Sequence, residues 1–262
     1  MIINGREIAK SKMTELKVRA GGRKIGLGIV IVGDDPASHV YVKAKLKAAA
    51  EIGVETKLVQ LGADASEAEL LGTIERLNKD AAVHGILVQL PLPKHIDEGK
   101  VLEAIDPRKD IDGFHRMSHF RPCTPLGIIK LLEATGETFV GKHAVVIGRS
   151  KIVGTPVALM LLDRNCTVTV THSKTVDLAS HTRNADILVV AAGKRNLVTG
   201  DMVKPGATVI DVGINRFEGK LYGDVNFDEV SKVAGHITPV PGGVGPMTIA
   251  MVIKNVIDAA GK

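Results

Sequence analysis

The feature that most constrains this chain is the alternation of short, β-branched apolar runs with longer segments of helical period. Strands are predicted at Leu27–Val32, Glu55–Gln60, Gly85–Gln89, Ala144–Ile147, Thr167–Thr171, Ile187–Ala191 and Thr208–Val212. Helical spacing falls between them, near residues 38–52, 66–79, 97–104, 125–135, 153–163 and 176–182, with a last helix near 246–260. Strands that alternate with helices read as βαβ units on parallel sheets, so the expected class is α/β. The periodicity breaks twice, at residues 113–125 and in the Pro- and Gly-rich run 239–246, which is read as irregular. In the first break, Thr124 followed by Pro125 is read as a helix N-cap and first helical residue. Two α/β units fit a chain of 262 residues.

Composition excludes several functions. Apolar runs stop far short of the ~20 residues that cross a bilayer, so no membrane partner is expected. The N-terminal Met-Ile-Ile-Asn-Gly-Arg-Glu carries charge where a leader needs an apolar stretch, so a cytoplasmic location is expected. Two cysteines 43 residues apart, Cys123 and Cys166, offer neither a disulfide framework nor a zinc set. His115 and His119 have a spacing of four but lie in an irregular segment without a nearby Glu, so no metal is expected. With no Trp, and Lys and Arg scattered along the chain, a nucleic-acid surface is not expected. The net charge of +5 is read as a mild bias toward small anionic ligands.

Residues 143–163 read strand, then Gly148-Arg-Ser-Lys-Ile-Val-Gly154, then helix. Glycines at such a turn let a backbone approach a pyrophosphate, and the helix start supplies free N–H groups. The spacing is not GxGxxG, and by itself it fits a plain structural turn equally well. The context favours a nucleotide. Where NAD binders place an acid after the second strand, this chain has Thr171-His-Ser173-Lys174. With Arg149, Lys151, Ser173 and Lys174 available for a 2′-phosphate, NADP is expected rather than NAD. Gly136–Lys142 mimics a P-loop, but His143 replaces the Ser/Thr that holds magnesium, and Gly148-Arg-Ser150 lacks the second glycine of a nucleophile elbow.

On helix 38–52, Tyr41, Lys45, Ala48, Ala49 and Ile52 share one side and Lys43 and Lys47 turn to the other. Lys45 is thus placed on an apolar face. Desolvation there disfavours the ammonium and suits the amine to proton transfer, although a lysine whose head snorkels to water is the commoner case. Two further residues shift that balance. Gln89 stands at the carboxyl end of a buried strand, where α/β proteins bind ligands, and Asp112 sits in a turn at the end of the first unit.

Taken in order, Tyr41-x-x-x-Lys45, Gly85-Ile-Leu-Val-Gln89-Leu-Pro-Leu-Pro93, Asp110-Ile-Asp112-Gly-Phe114, Pro122-Cys-Thr-Pro125, Gly148-Arg-Ser150-x-Ile-Val-Gly154 and Pro239-Val-Pro-Gly-Gly-Val-Gly-Pro-Met-Thr248 resemble the bifunctional methylenetetrahydrofolate dehydrogenase/cyclohydrolase family over the whole chain. The resemblance implies two α/β domains flanking a cleft: a catalytic, folate-binding domain at 1–120, with the 246–262 helix packing back on it, and a Rossmann-like NADP domain at 121–245. It implies NADP-dependent oxidation of methylenetetrahydrofolate, then hydrolysis of the methenyl product to formyltetrahydrofolate. By position, Lys45 matches the catalytic lysine, Tyr41 a stacking and hydrogen-bonding tyrosine, Gln89 the residue that positions the lysine, and Asp112 the carboxylate that holds the pterin. Gly148, Arg149, Ser150, Ser173 and Ile214 match NADP contacts. Leu90, Pro91, Pro241, Gly242 and Gly243 fall where the family contacts folate. A cytoplasmic homodimer serving purine, methionine and histidine synthesis is implied as well. One departure stands out: only Phe114–Arg121 separates the Asp-x-Asp-Gly and Pro-Cys-Thr-Pro motifs, where family members carry a longer stretch with Asn-x-Gly-x-Leu. The competing readings are a folate dehydrogenase without hydrolase activity, another NADP oxidoreductase on the same architecture, and a non-enzymatic nucleotide-binding module.

Overall fold

The computed structural model describes residues 1–261. The chain divides into two compact units: residues 11–123 with 249–262, and residues 1–10 with 124–248. Each is built on its own parallel sheet.

The first unit holds a three-stranded sheet of β1 (Ile25–Val32), β2 (Val54–Leu61) and β3 (Gly85–Val88) in the order β2-β1-β3. All residues of β1 and β3 are buried, as expected of parallel strands covered on both faces. Two helices connect the strands: α2 (Pro36–Glu51) and α3 (Glu67–Lys79). Asp35 caps α2, its carboxylate accepting from the Ser38 amide at 2.8 Å, and Ser66 caps α3 through the Glu69 amide. One face of α3 places Leu70, Ile74 and Leu77 against Val30, Val83 and Ile86 of the core, and α4 (Glu98–Glu103) adds Val101.

The second unit holds a five-stranded sheet: β4 (His143–Ile147), β5 (Thr167–Thr171), β6 (Ile187–Val190), β7 (Thr208–Asp211) and β10 (His236–Ile237), ordered β10-β7-β6-β4-β5. Every pairing is parallel. The chain leaves β4 to form β5 on one side and returns to place β6 on the other. The strand order therefore reverses between β4 and β6, which is where open α/β sheets bind ligands. Helix α6 (Gly154–Leu162) follows β4, and the short α7 (Leu178–Thr182) follows β5.

Several elements depart from the sequence reading. Helix α1 (Gly5–Ala20), the antiparallel hairpin β8–β9 (Asn215–Phe217 and Lys220–Tyr222), the short β10 and helix α8 (Phe227–Val230) were not expected. Helix α5 (Cys123–Ala134) begins before Thr124, so Thr124 lies within the helix rather than at its cap, and its hydroxyl accepts from that of Thr248 at 3.1 Å. The run 239–246 is not irregular throughout, because α9 (Val244–Ala259) already includes its last three residues. Gly245 and Pro246 sit in the first turn of α9, where proline forfeits no helical hydrogen bond. The unit boundary crosses α9 after Thr248. Its later turns serve the first unit, where Asn255 donates to the Ile111 carbonyl at 2.8 Å.

Candidate active site

In the first unit the lysine side of the site forms on α2 and at the end of β3. Lys45 is buried, 7% exposed, while Lys43 and Lys47 lie in solvent. Its Nζ donates to Gln89 Oε1 at 3.0 Å. Gln89 is fixed in turn: its backbone N–H donates to the Val30 carbonyl at 2.8 Å, continuing the β1–β3 ladder, and its Nε2 donates to the Leu90 carbonyl at 2.6 Å. Both amide hydrogen-bonding ends are committed, so the oxygen is the end that meets the lysine. Tyr41 lies one turn before Lys45 and is half-buried. The peptide bond between Leu90 and Pro91 is cis, and Pro91 is exposed.

Asp112 belongs to the same unit and feels the Lys45 charge. Burial pushes its carboxyl up to about 6, and the nearby Asp110 adds to the rise, while Lys45 and the Cys123 thiol beside it hold it down. Burial also raises the Cys123 thiol, which stays protonated and donates to the Ile111 carbonyl at 3.1 Å. The turn carrying Asp112 is anchored by buried Asp110, whose Oδ2 accepts from the His115 amide at 2.8 Å. The short 114–121 connection folds onto that anchor. The Ser118 hydroxyl donates to the Asp110 carbonyl at 3.0 Å, the His119 amide donates to the Pro107 carbonyl at 3.0 Å, and Phe120 is buried.

In the second unit, a cavity of about 510 Å³ opens at the switch point of the sheet. Gly148, Arg149 and Ser173 all line it. Gly148 has φ +112°, and a Cβ there would stand 2.2 Å from the Ala191 carbonyl oxygen at the end of β6; one on Gly154 would stand 2.1 Å from the Gly148 oxygen. Only glycine fits at either position, and that keeps the turn flat against the sheet. Ser150 does not line the cavity. Its hydroxyl accepts from the Val153 and Gly154 amides at 3.1 and 3.3 Å and so holds the start of α6. Ile214 is exposed and is not among the lining residues, nor are Lys151 and Lys174. Lys194, His172 and Thr175 do line it. They were missed in the sequence although they follow the ends of β5 and β6, where the crevice rule directs attention. Pro241, Gly242 and Gly243 also belong to this unit. The Val240–Pro241 bond is cis, and Gly5 of α1 packs so closely that a Cβ would meet the Gly243 oxygen at 1.9 Å. Among the described residues no His, Cys, Asp or Glu cluster suits a metal ion.

A Rossmann-type sheet with a glycine-lined, cationic crevice, and a second α/β unit with a buried lysine held by a glutamine, define a nucleotide-dependent enzyme of dehydrogenase type. Residues 3–112 match the catalytic domain, and residues 122–262 the NAD(P)-binding domain, of tetrahydrofolate dehydrogenase/cyclohydrolase. The chain belongs to the tetrahydrofolate dehydrogenase/cyclohydrolase family. Bifunctional protein FolD of Polaromonas naphthalenivorans is 56% identical, with 99% of this chain and 98% of that protein covered. That alignment spans 274 positions, so the relative has at least 12 residues without a counterpart here (274 − 262). The crystal structure of the bifunctional FolD enzyme of Campylobacter jejuni superposes with a TM-score of 0.96 at 48% identity, covering 100% of this chain and 98% of that one. The Trypanosoma brucei enzyme, solved with NADP cofactor and an inhibitor, gives 0.95 at 40% identity over 99% and 96% of the two chains.

Proposed function

We propose that this chain oxidises 5,10-methylenetetrahydrofolate to the methenyl form with NADP and then hydrolyses that product to formyltetrahydrofolate. The observation that carries the reading is the Lys45–Gln89 pair, a buried amine oriented at 3.0 Å within a matching family fold. NADP, when bound, supplies the hydride acceptor. The residues present suit it: the Gly148–Gly154 turn leaves room only for a backbone, and Arg149 and Lys194 bring positive charge to the cavity. Oxidation leaves a cation on the folate and asks for orientation more than acid or base. Hydrolysis does need proton transfer: water adds to the methenyl carbon and loses one proton, the ring C–N bond then opens as its nitrogen gains a proton, and the former water oxygen gives up its second proton to become the formyl carbonyl, so that one proton is released overall. Lys45 is the group assigned to that transfer, with Gln89 holding its amine on station. Tyr41 borders the same face for stacking and hydrogen bonding, Asp112 accepts from the pterin, and Leu90 and Pro91 contact the folate. Gly148, Arg149, Ser150, Ser173 and Ile214 serve NADP, with Ser150 acting through the turn it holds before α6.

The functional division assigned to the chain is a folate domain of residues 1–120 with the last helix and an NADP domain of residues 121–245, although residues 1–10 cluster with the five-stranded unit. We assign the enzyme to the cytoplasm, a setting suited to its two free, buried cysteines, and to the supply of one-carbon units for purine, methionine and histidine synthesis. A homodimer is supported by the five-stranded unit. There β5 lies at a sheet edge with Val170 exposed, and Leu159 and Leu162 of α6 are exposed too. The test of function is a coupled assay with methylenetetrahydrofolate and NADP or NAD. NADPH should appear and the methenyl absorbance should then decay. Without NADPH the reading fails, and a methenyl product that persists would leave a dehydrogenase alone.

A further inference from the structure

Four residues lining the cavity of the five-stranded unit, Ala191, Ala192, Lys194 and Leu197, come from one loop after β6. That loop is held at both ends by a single residue outside the cavity. Asp224 is fully buried, and its Oδ2 accepts from the Ala192 and Gly193 amides at 2.7 and 2.8 Å. Its backbone carbonyl accepts from the Leu197 amide at 2.7 Å. The other carboxylate oxygen, Oδ1, accepts from Asn215 Nδ2 at 2.9 Å, and the same amide nitrogen donates to the Gly223 carbonyl at 3.1 Å. The crown of the loop is clamped as well, with the Arg195 guanidinium 3.8 Å from the Tyr222 ring centroid and 4.6 Å from that of Phe217. Asp224 is itself placed by Asp211, whose Oδ1 accepts from the Asp224 amide at 2.9 Å. A Cβ on Gly213 would lie 2.3 Å from the Asp224 carboxyl, so the neighbouring chain is packed hard against it.

We infer that Asp224, oriented by Asn215, is a positioning residue for the NADP reaction: it fixes the 191–197 loop in the form that shapes the cofactor cavity. The inference rests on the NADP reading above. The chemistry needs a carboxylate. Two converging N–H groups and a side-chain amide all donate, so every partner calls for an acceptor, and charge-assisted bonds of this kind are the strong ones. In Asp224→Asn the new amide must turn its NH₂ either toward the two backbone donors or toward the Asn215 donor. Either choice loosens the loop without changing any cavity-lining side chain.

The test uses the full-length enzyme with Asp224→Asn and Asn215→Ala. KM for NADP should rise at least 10-fold in the first and about 3-fold in the second. In both, kcat at saturating NADP should stay within 3-fold of wild type, and hydrolysis of methenyltetrahydrofolate supplied directly, without NADP, should be unchanged. Thermal melts report folding. If Asp224→Asn does not fold, Asn215→Ala decides, since it keeps both loop bonds. An unchanged KM for NADP in a folded variant overturns the inference, as does hydrolysis that falls in step with NADP use. Failure of the function reading looks different, because the wild-type enzyme itself would then not reduce NADP.

Discussion

Replacing Asp112 by Asn should make the enzyme more stable and less active, and the gain in stability should depend on pH. The Asp112 carboxyl is raised from 3.8 to about 6 in the folded chain, chiefly by burial. A group whose folded pKa is raised binds more protons folded than unfolded, so its contribution to stability is complete below about pH 4 and is lost as pH climbs through about 6. The shift corresponds to about 3 kcal/mol at neutral pH. The buried Lys45 charge is already counted, since it is one of the causes that hold the value down to about 6. The Cys123 thiol is counted there too, so Asn, which imitates the protonated acid, avoids the whole loss. Asp112→Asn should therefore be about 3 kcal/mol more stable than wild type at pH 7.5 and about equal to it at pH 4. Asp211, also raised to about 6 by burial, adds the same pH dependence to both proteins and cancels in the difference. Urea unfolding midpoints at the two pH values measure it, and kcat/KM for folate should fall as one of the two acceptor oxygens offered to the pterin becomes an amide donor and the negative charge is lost. A variant less stable at pH 7.5, or a gain of equal size at both pH values, would refute the reasoning.

Three further outcomes follow from the geometry. Lys45→Met should abolish methenyl hydrolysis and leave NADP affinity within about twofold, measured by fluorescence titration; wild-type hydrolysis would remove Lys45 from proton transfer. Arg149→Ala should raise KM for NADP well beyond KM for NAD, and equal increases would end its assignment to the 2′-phosphate. Gly148→Ala puts a methyl 2.2 Å from the Ala191 oxygen at φ +112°, so NADP binding should be lost together with about 1–3 kcal/mol of stability. A variant that binds NADP normally would show that the turn yields.

The strands that form the sheet centres were legible because each is a buried, β-branched run; β1, β4, β6 and β7 lie within a few residues of their expected bounds. What escaped notice was amphipathic or short. Helix α1 is rich in charge, yet its buried Ala9, Leu16 and Ala20, with half-buried Met13 between them, have the spacing of a helix face, so the signal existed. The β8–β9 hairpin turns at Glu218-Gly219, both with positive φ, as a two-residue turn requires. No residue of its strands is fully buried, because the sheet they form has only two members. Strand β10 is two residues long, pairing with β7 and, at Ile237, bridging to Ile2, so it is marked by its partners and not by its own sequence.

The site divides along the same physical line. Lys45 was legible because one helix fixes both its face and its neighbours, and Gln89 because a buried strand delivers it to the sheet's carboxyl edge. For the cations of the cavity, composition along the chain was a poor guide. Lys151 and Lys174 stand beside the expected motif but outside the cavity, whereas Lys194, 20 residues further on, lines it. The β4–β6 crossover is responsible, since it sets the ends of strands distant in sequence side by side. Asp224 is harder still to read: its partners lie 9 and about 30 residues away, and its role depends on which oxygen meets which amide. Residue types within one element can be judged from periodicity, but a carboxylate that ties one strand's loop to another's depends on register, and register is decided by the packing of the whole sheet.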